Sequence, residues 1–226
     1  MKRSPVFLGI TVAWAMAAVL WAGNMVYGAA DFNQLLATFT QRWGAGNTAR
    51  FTAWQNMLQT VRAGSDTERL KKINDFFNRQ IRFGEDTSVW SQPDYWATPL
   101  ETLGMGAGDC EDFAIAKYFS LKEIGVASDK LRLIYVRAKT GTSDAAQAHM
   151  VLAYYAQPDS EPLVLDNLIG DIRPASRRPD LVPVFSFNSE GVFSGISAKD
   201  SAPSAGTGRL SRWEDLLKRA KAEGFE

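Results

Sequence analysis

The chain holds one cysteine, Cys110, and one histidine, His149. Any thiol–imidazole pair is therefore fixed without choice. The chemistry such a pair permits is attack on a carbonyl: the imidazole takes the thiol proton and the thiolate adds to the carbon. A third group must hold the imidazole in one tautomer, and Asp166 follows His149 at a distance that suits a hairpin. Nucleophile, base and orienting acid then run in the order Cys, His, Asp.

Cys110 stands within Gly106-Ala107-Gly108-Asp109-Cys110-Glu111-Asp112-Phe113-Ala114. The two glycines loosen the backbone and let main chain and substrate approach the sulfur. A helical pattern begins just after them. A cysteine entering a helix sits at the positive end of the helix dipole, which stabilises a thiolate. Its own N–H has no partner within the helix and is a natural oxyanion donor.

Singly, each residue has a plainer reading. A lone cysteine is a small hydrophobe, a lone strand histidine is structural, and an aspartate at a strand end belongs to a turn. A hairpin joins the last two. Ala148 to Ala156 and Pro162 to Leu168 read as strands around the turn Gln157-Pro158-Asp159-Ser160-Glu161. The start of one strand lies beside the end of its antiparallel partner, so His149 and Asp166 come within a few residues of being opposite. Whether they share a face depends on the register.

Asp109, Glu111 and Asp112 crowd the turn that carries Cys110. Helical spacing puts Asp109 and Asp112 close together on one side, with Glu111 beyond Asp112 and Cys110 pointing the other way. Acidic residues favour the first turn of any helix. Yet carboxylates without an adjacent Lys or Arg repel one another and oppose a thiolate, and a hard cation would relieve both effects. Calcium suits these oxygen donors, whereas zinc wants more Cys or His than the chain has; there is no EF-hand loop. Both readings stand at this point.

Before the site, three helical stretches are expected between Asp31 and Ile81. Phe32, Leu35, Leu36, Phe39 and Trp43 share one face of the first. Phe51, Trp54, Leu58 and Val61 line the second. Ser65 and Glu68 form a capping box for the third, which carries Leu70, Ile73, Phe77 and Ile81. These stripes read as core. Residues 84 to 105 lose periodicity but gain Trp90, Tyr95 and Trp96, either a cleft wall or a lid over the core. The nucleophile helix runs to about Ile124 and stops at Gly125. Leu131 to Ala138 reads as a further strand, and Phe185 and Phe187 as a short one. Ser189 to Gly208 reads as a mobile loop. Ser211 and Glu214 then cap a last helix whose Leu210, Trp213, Leu216 and Leu217 face inward.

Met1 to Ala30 resembles a secretory signal. Lys2 and Arg3 precede an apolar run from Val6 to Gly23, and small residues at Gly28, Ala29 and Ala30 suit cleavage before Asp31. A retained membrane anchor is the competing reading. Either way the remainder is exported, and its single cysteine cannot form an intrachain disulfide. Formal net charge is zero. With no basic block or stripe, nucleic acid is excluded as an expected partner. The 226 residues, 46% of them hydrophobic, suffice for one well-cored domain.

The run around Cys110, with Asp94-Tyr95-Trp96-Ala97-Thr98-Pro99 and Leu131-Arg132-Leu133-Ile134-Tyr135-Val136, resembles the bacterial transglutaminase-like cysteine proteinases, and within them the periplasmic LapG-type adhesin proteases. The likeness runs from about Phe32 to about Pro174. It implies an α+β, papain-like/transglutaminase-like fold, with N-terminal helices and a nucleophile-bearing helix packed on an antiparallel sheet. The signal peptide would span 1–30 and the protease domain 31–226. That domain comprises a helical lobe of about 31–82, a catalytic core of about 83–188, and a loop and C-terminal helix of 189–226. The likeness implies the triad Cys110, His149 and Asp166, and calcium held by Asp109, Glu111 and Asp112. It implies a periplasmic enzyme that cuts a large surface adhesin near its N-terminus, at a pair of alanines, which favours biofilm dispersal. An inner-membrane cyclic di-GMP receptor would sequester it through a periplasmic domain. Trp90 and Trp96 are the expected cleft or receptor contacts, on position alone. The rival functions are an acyl transferase with the same triad, passing the acyl group to a lysine amine, and a non-catalytic binding module.

Overall fold

The computed structural model describes residues 31–139, 145–193 and 207–225. The expected signal segment and most of the loop from Ser189 to Gly208 lie outside the described residues. Among the described residues no helix is long and apolar enough to cross a membrane.

The N-terminal helices form where the aromatic stripes place them. Asp31 caps α1 (Phe32–Trp43) by accepting from the Asn33 N–H at 2.9 Å. Leu35 and Phe39 are buried, but Leu36 is 37% exposed, so the inward stripe is narrower than the periodicity suggests. α2 (Ala49–Val61) buries Phe51, Trp54, Leu58 and Val61. The Trp54 indole N–H donates to Ser120 Oγ at 2.8 Å, which satisfies the one polar atom this ring takes inside. α3 (Asp66–Gln80) has the Ser65/Glu68 capping box complete. Each large apolar side chain fully buried in this way contributes about 1.5–3 kcal/mol.

Residues 84 to 105 are more regular than their lost periodicity suggests. They contain a single turn, α4 (Asp86–Val89), and a short helix, α5 (Pro99–Met105). The signal was present in the sequence: Thr98 and Glu101 form a capping box, and Pro99 occupies the first helical position, where its missing N–H goes unneeded. β1 (Arg82–Phe83) pairs in parallel with β2 (Ala107–Gly108), Arg82 beside Ala107 and Phe83 beside Gly108. That short pairing lays the start of the 84–98 segment against the nucleophile loop.

α6 (Cys110–Glu123) is the central helix. Every residue from Asp112 to Leu121 is buried, so it has no polar face. It lies against a six-stranded antiparallel sheet of order β6-β5-β4-β3-β7-β8. The strands are β3 (Leu131–Lys139), β4 (Ala146–Tyr154), β5 (Leu163–Leu165), β6 (Arg173–Pro174), β7 (Leu181–Phe187) and β8 (Val192–Phe193). The pleat sends Leu131, Leu133, Met150, Leu152 and Leu165 into the helix-packed core. Ile134, Val136, Val151 and Val164 point to the other face, where the strap carrying Ala175 and Leu181 covers them.

α7 (Thr207–Glu223) begins before Ser211, so Ser211 lies inside the helix and is not the N-cap that its spacing to Glu214 suggests. Trp213 and Leu216 are buried, and Leu217 packs partly against the core. Arg219 ties the helix to the aromatic segment: it donates to Glu101 Oε2 at 2.6 Å and to the Trp96 carbonyl at 2.7 Å. The fold is the α+β arrangement of helices and antiparallel sheet that the family likeness implies.

One buried group works against stability. Lys117 on α6 is fully buried, and its Nζ has no hydrogen-bond partner among the described residues. Burial pulls its pKa down to about 7, only partly opposed by the charge of Asp166. A base depressed in the folded state binds fewer protons than in the unfolded state between about pH 7 and 10.5, so stability rises with pH across that window. Lys117→Met is expected to raise stability at pH 7 by about 1–3 kcal/mol and to flatten that rise. Urea melts at several pH values check both.

Candidate active site

α5 ends at Gly106, in the left-handed region with φ of +63°. A Cβ there would run into the Arg50 guanidinium. At Gly108 a Cβ would lie 2.5 Å from Asp112 Oδ2. The glycines thus make room for Arg50 and for a carboxylate of the chain itself. Asp109 is the N-cap of α6 and accepts from the Glu111 N–H at 3.2 Å. Cys110 takes the first helical position.

The sulfur rests on β4. The Met150 backbone N–H donates to it, and Met150 follows His149 directly. The thiol itself donates to Glu111 Oε2 at 2.7 Å, not to His149. Burial pushes the thiol pKa far up, helped by the charge and hydrogen bond of Glu111 and the charge of Asp109; the Met150 N–H opposes. The helix dipole argument taken from sequence is therefore outweighed by burial and, after it, by the adjacent acids.

The pleat puts His149 on the face of Val136 and Val151, and Asp166 on the face of Val164, which is the face the strap covers. Leu152 sits opposite Leu165, so Asp166 continues β5 toward the start of β4. His149 Nε2 is 2.8 Å from Asp166 Oδ1, and both side chains are buried. The backbone of Asp166 is pinned to α3, because Asn78 Nδ2 donates to its carbonyl at 2.8 Å. Burial alone would raise the Asp166 pKa. Bonds and charge from His149, the Leu168 N–H and Arg178 outweigh it and hold the carboxyl at about 2. An ionised carboxylate only accepts, so the proton of this bond lies on His149 Nε2. Nδ1 is left as the nitrogen able to take a proton from a thiol.

The acids divide into two groups. Asp86, Asp109 and Asp112 each place a carboxylate oxygen within 4.8 Å of the others. Asp109, Cys110 and Glu111 form the second group. Glu111 therefore curls back to the thiol and does not extend beyond Asp112. Asp112 accepts from the Ala97 N–H at 2.8 Å and the Trp90 indole at 3.4 Å. Burial drives its pKa well up, joined by the charges of Asp86 and Glu111. Asp86 is pushed up to about 6, first by burial and then by Glu111, Asp94 and Glu85. One of its oxygens, Oδ1, is buried with no hydrogen-bond partner among the described residues. Hard oxygen donors, close-set like charges and an orphaned carboxylate oxygen are what a calcium-sized cation fits. Asp86 was missed in the sequence. It lies 24 residues before Cys110, and the β1–β2 pairing, with the bonds from Trp90 and Ala97 to Asp112, brings its segment to the nucleophile loop.

The two tryptophans part company. Trp96 is 3% exposed and stacks on Phe187 with ring centroids 5.6 Å apart. It is a core residue and cannot serve as a cleft contact. Trp90 is half-buried, bonded to Asp112 and packed 4.9 Å from Tyr95.

The arrangement was compared with known proteins. Residues 47–179 match the bacterial transglutaminase-like cysteine proteinase family. The chain belongs to that family. No curated protein matches it. Among solved structures it is similar to LapG of Legionella pneumophila, at 40% identity over 83% of this chain and 96% of that one, with a TM-score of 0.68. Calcium-bound LapG of the same organism gives 40% identity and a TM-score of 0.70, covering 83% and 98% of the two chains. EGTA-treated LapG gives the same identity and TM-score, covering 83% and 96%. As a member of this family the chain is a cysteine protease, and its papain-like α+β fold agrees with these structures.

Proposed function

We propose that the protein is a calcium-dependent cysteine endopeptidase in which Cys110 is the nucleophile, His149 the base and Asp166 the group that orients it. The observation that carries this reading is the 2.8 Å bond from His149 Nε2 to Asp166 Oδ1, made while the neighbouring Met150 N–H holds the Cys110 sulfur. His149 Nδ1 takes the thiol proton as sulfur attacks the scissile carbonyl, and returns it to the leaving amine. Water then hydrolyses the acyl-enzyme, with Nδ1 as base again. The Cys110 N–H, at the first position of α6, is the candidate oxyanion donor.

Asp86, Asp109 and Asp112 are the residues that would hold calcium, with Glu111 adjoining them through Asp109. Bound there, calcium would supply positive charge beside the acids that hold the thiol protonated. The LapG structures described as calcium-bound and EGTA-treated support calcium as the cation.

The same likeness supports the finer reading. The substrate is the N-terminal region of a large surface adhesin, and its release promotes biofilm dispersal. Export to the periplasm is supported by the secretory-signal pattern of residues 1–30. An inner-membrane cyclic di-GMP receptor holds the protease inactive. The test uses protein from Asp31 onward with the N-terminal fragment of the host's large adhesin, with calcium or with chelator. A single cut that requires calcium is the expected result. Incorporation of an added amine in place of cleavage would make it an acyl transferase and overturn the reading.

A further inference from the structure

Asp166 has a second partner that no triad logic requires. Arg178 lies in the strap between β6 and β7, just past a turn of 3-10 helix at Ala175–Arg177, and is 2% exposed. Its Nη2 donates to Asp166 Oδ2 at 2.7 Å and to Asp180 Oδ2 at 2.7 Å. Its Nε donates to Asp180 Oδ1 at 3.0 Å. Asp166 therefore has its two oxygens divided: Oδ1 serves His149 and the Leu168 N–H, and Oδ2 serves Arg178.

We infer that Arg178 is a positioning residue for the protease reaction: its bond to Asp166 Oδ2 fixes the carboxylate plane so that Oδ1 holds His149 in the Nε2–H tautomer. The inference rests on the triad reading of the site. A carboxylate bonded on one oxygen alone can turn about its last side-chain torsion, and the imidazole turns with it. The planar guanidinium removes that freedom because it is itself fixed from two sides, by Asp166 and by Asp180. Charge is balanced as well. Arg178 and Asp180 cancel, so Asp166 keeps its negative charge for the imidazolium that forms during the reaction. Lys117, the other cation facing Asp166, donates to none of its oxygens and cannot orient it.

Arg178→Met separates positioning from simple charge. If Arg178 merely competed with His149 for Asp166, its loss would strengthen the remaining pair and leave kcat equal or higher. Positioning requires kcat on the adhesin fragment to fall about 10–100-fold with KM within about threefold. The chain's single histidine gives a readout that needs no substrate. In 15N-histidine-labelled, tag-free, calcium-loaded protein, the wild type should show one imidazole tautomer, protonated at Nε2. Arg178→Met should show a mixture or exchange-averaged shifts. If Arg178→Met fails to fold by circular dichroism, Arg178→Lys carries the test. It keeps the charge but not the fork, and is expected to lower kcat about 3–10-fold with the same mixing of tautomers. A folded variant with an unchanged imidazole spectrum and kcat within twofold of wild type overturns the inference. Cleavage that survives Cys110→Ala would instead sink the triad reading, and the spectrum would still decide whether Arg178 orients Asp166.

Discussion

Cys110→Ala is expected to lower kcat by about five orders of magnitude or more, with the fold intact. The chain has no second cysteine to take over, so the covalent route is lost outright. The structural consequence is small, because Ala keeps the Cβ that packs against the edge of the core and only the sulfur, with its bonds to Glu111 and from the Met150 N–H, is lost. Removing the thiol frees Glu111 but leaves His149 on Asp166 and the Asp86, Asp109 and Asp112 group in place. Activity assays alongside thermal melts check the split. A variant that loses Tm by more than a few degrees would place Cys110 among the structural residues.

The second large effect is on stability. Asp86, Asp109 and Asp112 bring their oxygens within 4.8 Å of one another and join the 84–98 segment to α6. A cation bound at that junction links two parts of the chain and removes their mutual repulsion. At about a hundred times its dissociation constant, calcium adds roughly 2.7 kcal/mol. For a domain of this size that is a rise in Tm of about 5–10 °C. Asp86→Asn gives the discriminating pattern. It relieves repulsion, so the calcium-free variant should melt at or above calcium-free wild type, yet most of the calcium-induced rise should disappear. Scanning calorimetry with and without calcium reads both. An Asp86→Asn protein that keeps the full rise would remove Asp86 from the site.

The sequence was legible where one physical signal dominated. The aromatic stripes of α1 to α3 and the Ser65/Glu68 box mark elements built mainly by local periodicity and capping. The alternation of β3 and β4 served equally well. What was lost depended on tertiary pairing. Trp96 reads as part of either a cleft wall or a lid over the core, and the structure puts its ring in the core against Phe187, with Arg219 of α7 bonded to its carbonyl. Ser211 and Glu214 have capping-box spacing, yet the helix has already begun at Thr207.

The site follows the same division. Cys110, His149 and Asp166 stood out because the chain owns one thiol and one imidazole, and a hairpin limits which carboxylate lies near. Asp86 and Arg178 gave no such signal. Asp86 arrives through a two-residue parallel pairing, and Arg178 through the strap that covers the far face of the sheet. Neither has a periodicity to follow. Their roles rest on buried geometry: an orphaned oxygen at Asp86 and a guanidinium shared by two carboxylates at Arg178.

The central claim is that His149 activates Cys110. It is tested most directly by the rate of Cys110 alkylation with iodoacetamide, followed by intact mass on calcium-loaded protein near pH 7. One cysteine means one adduct and no ambiguity of site. The account predicts that His149→Ala, folded and calcium-loaded, reacts about 10²-fold or more slowly than wild type. Equal rates in the two proteins would mean that the imidazole does not serve the thiol, and would contradict the account.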